Sequence, residues 1–316
     1  MNRIQRVSAA TLTAAACVML VAASAVPATA APATASSAAA KTAICTSAKH
    51  PRLAARISRG ISSVLARRTG SVVGLAASDT ADGLTCALRQ SVHFYSASVI
   101  KVTILSALLL KKGGPAHLTT AQRDLAYVMI TQSSNSAATK LWNEVGMSHM
   151  QRFLNEARMR QTVLSSAWGL TLITAHDELR LLHLLTTKGK VLSNSARAYV
   201  LRLMSKVVVA ERWGVSAGAP KNVTVHIKNG WLPYPRANDW RINSIGAFTG
   251  KGIAYQIVIL TAPPSVGEGQ GESYGIQTVQ AAAGVINRQL AGKPASTTAP
   301  PPPPPPDDAQ LDAPGG

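Results

Sequence analysis

Leu53, Ile57, Ile61 and Leu65 recur four apart in HPRLAARISRGISSVLARR, with arginines left on the other face. That spacing lines up an apolar stripe on a 3.6-residue period and predicts an amphipathic helix. The period then shortens. GSVVGLAASD and LTCALRQ are short β-type runs joined by TADG, a turn-rich link that predicts a hairpin. The middle of the chain reads as helices over 98–112, about 120–131, 136–146, 147–158 and AHDELRLLHLLTTKG. Thr119 followed by Gln122 has the spacing of a capping box and supports one of these starts. After residue 220 alternation returns. In NVTVHIKNG, Val223, Val225 and Ile227 share one face, and Thr224, His226 and Lys228 share the other. WRINSIGAF and AYQIVILTA predict two further strands, and Ile276, Val279, Ala283, Ile286 and Leu290 mark a final helix.

The order is helix, two strands, many helices, three strands, helix. It predicts a two-lobed α+β fold. An antiparallel sheet of about five strands is flanked by the N- and C-terminal helices, and an all-helical lobe is inserted between strands 2 and 3. A cleft between sheet and helical lobe is the expected place for chemistry.

The ends are of different material. Arg3 and Arg6, the apolar run AATLTAAACVMLVAASAV and the small-x-small site Ala28-Thr29-Ala30 read residues 1–30 as an export signal. A membrane anchor and lipid attachment at Cys17 are the alternatives; the alanine-rich run and the position of Cys17 within it favour neither. Residues 31–48 read as a linker and 49–291 as one domain, long enough for a substantial core. From Gly292 onward the chain carries seven consecutive prolines and an acidic tip, which predicts an extended, unpacked tail over 292–316. With the leader removed, Cys45 and Cys86 are the only cysteines. Two cysteines outside the cell are compatible with one disulfide between them, two buried thiols being the alternative.

A formal net charge of +18 is compatible with polyanion partners, for an exported chain wall polymers or an anionic membrane surface before nucleic acid, and equally with a solvated basic surface that has no specific partner. No basic–aromatic interleaving or zinc spacing supports nucleic-acid binding. No metal and no cofactor are expected, and the chain reads as a secreted monomer.

Three short motifs carry the candidate chemistry. SASVIKV sets Ser98 three residues ahead of Lys101, so at a helix start the two share a face. A serine beside a shielded lysine can lose its proton to it. An N-capping serine with a solvated lysine is the alternative for this motif alone. MITQSSNSAATKLW places Ser133 and Asn135 in the break between two helices, and HIKNGW places Lys228, Asn229 and Gly230 on a strand. A glycine after such a pair allows close approach to the strand.

Ser-x-x-Lys, Ser-x-Asn and Lys-x-Gly in this order resemble the signature of class A β-lactamases and penicillin-binding proteins. The flanks FYSASVIKVTILSALL and the element order resemble class A as well, over about residues 50–291. The resemblance implies that Ser98 attacks the carbonyl of a β-lactam or D-alanyl amide and Lys101 takes or relays its proton. Ser133 would pass a proton to the leaving nitrogen with help from Lys228, which also attracts a substrate carboxylate. Asn135 would hold Lys101 and a substrate amide. Asn229 would hydrogen-bond the substrate, Gly230 would let it approach, and the backbone N–H groups of Ser98 and Trp231 would form an oxyanion hole.

The departures are specific. Ser134 replaces the family's aspartate, Asn229 replaces threonine, and Trp231 is bulky for a strand edge meant to receive substrate. The Glu-x-x-Leu-Asn motif, whose glutamate activates the deacylating water, is missing from MRQTVLSSAWGLTLITAHDE. Asp177 and Glu178 there read as helix-dipole partners and His176 as a substitute base or a surface residue. The resulting expectation is an exported serine hydrolase that acylates and deacylates slowly. A non-catalytic wall-binding or sensing module on the same fold is the alternative.

Overall fold

The computed structural model describes residues 43–251, 253–264 and 270–291. The expected leader, the proline-rich tail and residues 31–42 of the expected linker lie outside the described residues.

Strand β1 (Cys45–Ser47) precedes helix α1 (Pro51–Ala66), and β2 (Val72–Asp79) and β3 (Leu84–Leu88) form the expected hairpin. After β4 (Phe94–Tyr95), a 3-10 turn at Ala97–Val99 leads into α2 (Ile100–Lys112). The inserted lobe continues with α3 (Thr120–Thr131), α4 (Asn135–Val145), α5 (Met147–Glu156), β5 (Leu172–Ile173), α6 (Ala175–Thr186) and α7 (Asn194–Ser205). The chain returns to the sheet with β6 (Thr224–Pro233), β7 (Trp240–Gly250) and β8 (Ile253–Ala262), and α8 (Glu272–Ala291) follows.

The main sheet is antiparallel in the order β1-β3-β2-β8-β7-β6. It has six strands rather than about five. The extra one, β1, falls within the stretch read as linker and is too short to show a period. It pairs Cys45 opposite Cys86, and the two sulfurs are bonded. The pair β4–β5 forms a second small sheet, equally short and equally silent in the sequence pattern.

Alternation along the strands builds two cores. Leu75, Ile257 and Ile259 pack with Ile57 and Ile61 of α1 and with Val279, Ala283 and Ile286 of α8. Ala76, Ile245, Val258 and Leu260, on the other face, pack with the helical lobe. Helix α2 runs through that second core with every residue from Ile100 to Leu109 buried. A helix apolar all round is an interior helix, so Lys101, in its first turn, is buried with it. Thr119 caps α3 as a full capping box with Gln122, as its spacing predicts.

Candidate active site

The Ser98 turn is held from three sides. Asn243 on β7 donates its Nδ2 to the carbonyls of Tyr95 at 2.8 Å and Ser96 at 3.2 Å. Ser96 Oγ donates to the carbonyls of Trp168 and Gly169, 3.3 Å each, in the loop between α5 and α6. Between them Ala97 sits at φ +46°, a conformation that costs a non-glycine residue energy and persists where neighbours enforce it. From β6, a Cβ added to Gly230 would lie 2.7 Å from Ser98 N and 2.8 Å from Val99 N. Only glycine lets this strand pass so close to the turn.

Lys101 gathers the motif residues. Its Nζ donates to Ser98 Oγ at 2.8 Å, to the Ser133 carbonyl at 2.5 Å and to Asn135 Oδ1 at 2.6 Å, with Ser133 Oγ at 3.2 Å. Ser133 stands at φ +57° in the break between α3 and α4. That break puts its carbonyl and its hydroxyl on the same lysine. Ser134 caps α4 by accepting from Ala137 N. Its hydroxyl therefore serves the helix end, a role that needs no charge.

Strand β6 supplies the other side. Lys228 Nζ donates to Ser133 Oγ at 2.7 Å and to the Asn229 carbonyl at 2.9 Å, and the Glu211 carboxylate lies 3.6 Å away. Lys228 and Glu211 are both buried. Burial pushes the Lys228 pKa down, and the neighbouring Glu211 carboxylate works against that shift. Ser133 Oγ thus bridges two lysines, one from each lobe.

The substrate contact expected of the Asn229 side chain is corrected here, and the Trp231 ring finds its place. Asn229 does not face the substrate side. Strand alternation turns its amide to the opposite face, where Nδ2 donates to the carbonyls of Glu211 at 2.7 Å and Trp213 at 3.1 Å, and Oδ1 accepts from Ser244 Oγ at 2.6 Å. Ser244 Oγ in turn accepts from Val215 N at 2.9 Å. The same alternation sends the Trp231 ring into the α1–α8 core, edge-on to Trp213 at 5.9 Å between centroids. Trp231 is large but leaves the Ser98 side of the strand clear.

The loop between α5 and α6 contains no acid from Ala157 to His176. In place of a carboxylate it presents Trp168, whose ring centroid lies 5.0 Å from Lys101 Nζ and whose Nε1 donates to Thr139 Oγ1 at 3.1 Å. Asp177 anchors this loop: Oδ2 accepts from Gln161 N at 2.8 Å and from Thr162 Oγ1 at 2.9 Å. His176 Nδ1 lies 3.2 Å from Asp177 Oδ1. Glu178 is no surface partner of the helix dipole. It is fully buried, and desolvation, then Asp177, hold its carboxyl well above the usual range.

Glu211, Trp168, Asn243 and Ser244 were not singled out by their local sequence. Glu211 alone left a trace, as the one acid between Glu178 and Asp239. Among the described residues no group of three or more His, Cys, Asp or Glu side chains is placed to hold a metal ion.

Residues 110–289, more than half of the chain, match the model of the beta-lactamase enzyme family. The chain belongs to that family. The matched range holds Ser133, Asn135, Lys228 and Gly230, while Ser98 and Lys101 precede it. Solved structures of similar fold include a class A beta-lactamase from Bacteroides cellulosilyticus DSM 14838, at TM-score 0.64 and 16% identity, over 75% of this chain and 98% of that one. PBP-A aligns at TM-score 0.63 and 17% identity over 75% and 96%. A beta-lactamase from Streptosporangium roseum aligns at TM-score 0.62 and 20% identity over 75% and 98%. Against curated protein sequences the chain finds no match. The family's two-lobed fold is thus shared while most of its side chains have changed.

Proposed function

We propose that this family member is an exported serine hydrolase that forms an acyl-enzyme on Ser98 with the carbonyl of a β-lactam or peptide-like amide and releases it slowly. The observation that carries the reading is the 2.8 Å hydrogen bond between Lys101 Nζ and Ser98 Oγ, made by a lysine that also holds Ser133 and Asn135.

In this mechanism the neutral form of Lys101, accepting from Ser98 Oγ–H along their shared hydrogen bond, takes the Ser98 proton as Oγ adds to the carbonyl carbon. Backbone N–H groups of Ser98 and Trp231 stabilise the developing oxyanion. The contact of Gly230 with the Ser98 backbone supports this, because it brings the following strand residue to the same place. On collapse the C–N bond breaks, and Ser133 Oγ–H protonates the departing nitrogen. Ser133 recovers a proton from Lys228 or Lys101, both hydrogen-bonded to it. Slow release is supported by the acid-free loop, where Trp168 rather than a carboxylate stands against Lys101. Acyl-enzyme accumulation fits the fold: a mutant of the structurally similar PBP-A is solved as an acyl-enzyme complex with penicillin G. Export is supported by the leader-like start and the Cys45–Cys86 bond, and the high positive charge suits anionic wall polymers.

Intact-mass spectrometry after incubation with penicillin G and with an uncharged alkyl fluorophosphonate tests the reading. A persistent adduct on wild type that vanishes in Ser98→Ala is the expected result. No adduct from either probe on folded protein rejects it, and peptidoglycan binding unchanged by Ser98→Ala would then favour a binding module.

A further inference from the structure

Ser133 Oγ, the proton donor of the proposed reaction, marks the side of the site from which the leaving group departs. The strand residues expected to greet a carboxylate there are already occupied. Lys228 has three N–H groups. Ser133 Oγ and the Asn229 carbonyl take two, at 2.7 and 2.9 Å, and the buried Glu211 carboxylate faces the third at 3.6 Å. A second carboxylate brought to Lys228 would stand beside Glu211 in a region shielded from water, where like charges repel most strongly. Asn229 offers no alternative, because its amide is bonded to Glu211 O, Trp213 O and Ser244 Oγ on the far face of the strand.

The segment that delivers Glu211 is also apolar at its surface. Val208 and Val209 are 40% and 79% exposed. The Val208 N–H bonds to the Thr131 carbonyl at 3.0 Å, which ties this apolar lip to the loop carrying Ser133. The guanidinium of neighbouring Arg212 is turned back onto the carbonyls of Val207 and Ser205, at 2.9 and 2.6 Å. The leaving-group side is therefore balanced in charge and edged with aliphatic side chains.

We infer that this site takes an uncharged leaving group: its acyl donor is an ester or amide with no carboxylate beside the scissile bond. The inference rests on the acyl-enzyme reading above and narrows its substrate class. Ser98 Oγ–H adds to the carbonyl, the C–O or C–N bond breaks, and the proton from Oγ ends on a neutral alcohol or amine.

Penicillin G and its methyl ester differ in that charge and in one methyl group. Acylation of the full-length protein by each is followed by intact mass, and each rate is divided by the compound's own hydroxide hydrolysis rate. The expected result is a normalised preference for the methyl ester of about tenfold or more, the scale on which a buried like charge discriminates. Glu211→Gln, which leaves the Lys228 charge uncompensated, should move the ratio at least about tenfold toward the free acid. A wild-type preference for the free acid, with the fluorophosphonate still labelling Ser98, overturns the inference and leaves the acyl-enzyme reading standing. A ratio unmoved in folded Glu211→Gln also overturns it. Absence of any adduct rejects both.

Discussion

The Trp168 ring centroid lies 5.0 Å from Lys101 Nζ, in a loop with no acid from Ala157 to His176. The ring packs against the lysine, and whenever Lys101 holds the extra proton an indole face attracts that charge by about 0.5–2 kcal/mol, more where water is excluded. Trp168 is itself buried and bonded to Thr139. Trp168→Phe keeps a ring and loses one hydrogen bond, so it should cost about 1 kcal/mol and leave acylation nearly intact. Trp168→Ala removes the ring and opens a cavity, and should cost about 3–5 kcal/mol. Urea unfolding and acylation time courses on the pair check this. Equal acylation rates in the Ala and Phe variants would show that the ring does not position Lys101.

Gly230 should be intolerant for a reason that can be separated from stability. A methyl there meets backbone nitrogens of Ser98 and Val99 at 2.7 and 2.8 Å, and these cannot rotate away. Gly230→Ala must push β6 from the nucleophile turn, and a displacement near 1 Å can cost about a hundredfold in rate. Gly189 is exposed with nothing within 4 Å, so Gly189→Ala should stay within about 0.5 kcal/mol and react normally. Comparable acylation in both variants would contradict the contact.

Much of this arrangement is legible in the sequence. Ser98 and Lys101 lie on one face because helix geometry puts residues three apart together. Lys228 lies opposite Val225 and Ile227 by strand alternation. The same alternation already placed Asn229 with the valines, away from Lys228. Giving Asn229 a substrate contact followed its position in the motif at the expense of that rule. Glu211 was not legible as a partner, since its meeting with Lys228 depends on how the 3-10 turn at Val209–Glu211 docks beside β6. Trp168 acts through contacts with α2 and α4 and Asn243 through contacts from the sheet to the Ser98 turn, which no local period encodes. Strands β1, β4 and β5 are two or three residues long and exist because a neighbour supplies the ladder.

Glu178 should make the fold's stability depend on pH in a defined direction. Its folded pKa is raised well above the usual 4.5, first by burial and then by Asp177. Between the two values the folded chain keeps a proton that the unfolded chain has released. Its contribution is complete below about pH 4.5 and is lost as pH rises through the folded pKa, at up to about 1.4 kcal/mol per unit. Glu178→Gln cannot titrate, so the wild type should lose stability relative to it as pH rises above about 4.5. His226, whose pKa burial pushes down, is shared by both proteins and cancels in the difference. Parallel stability–pH profiles would mean that Glu178 is not held in its acid form.

The Cys45–Cys86 bond should matter to stability and not to chemistry. It closes a separation of 41 residues, for which the chain-entropy model gives about 4 kcal/mol. It joins β1 to β3 at one edge of the sheet, while β6, with Lys228 and Gly230, forms the other edge. The double variant Cys45→Ser, Cys86→Ser should therefore melt about 10 °C lower in Tm, at roughly 2–4 °C per kcal/mol for a domain of this size. Its folded fraction should acylate within about twofold of wild type, because three strands separate the bond from the strand that touches Ser98. A large loss of acylation at a temperature where the variant is still folded would show that strain passes across the sheet to the Ser98 turn.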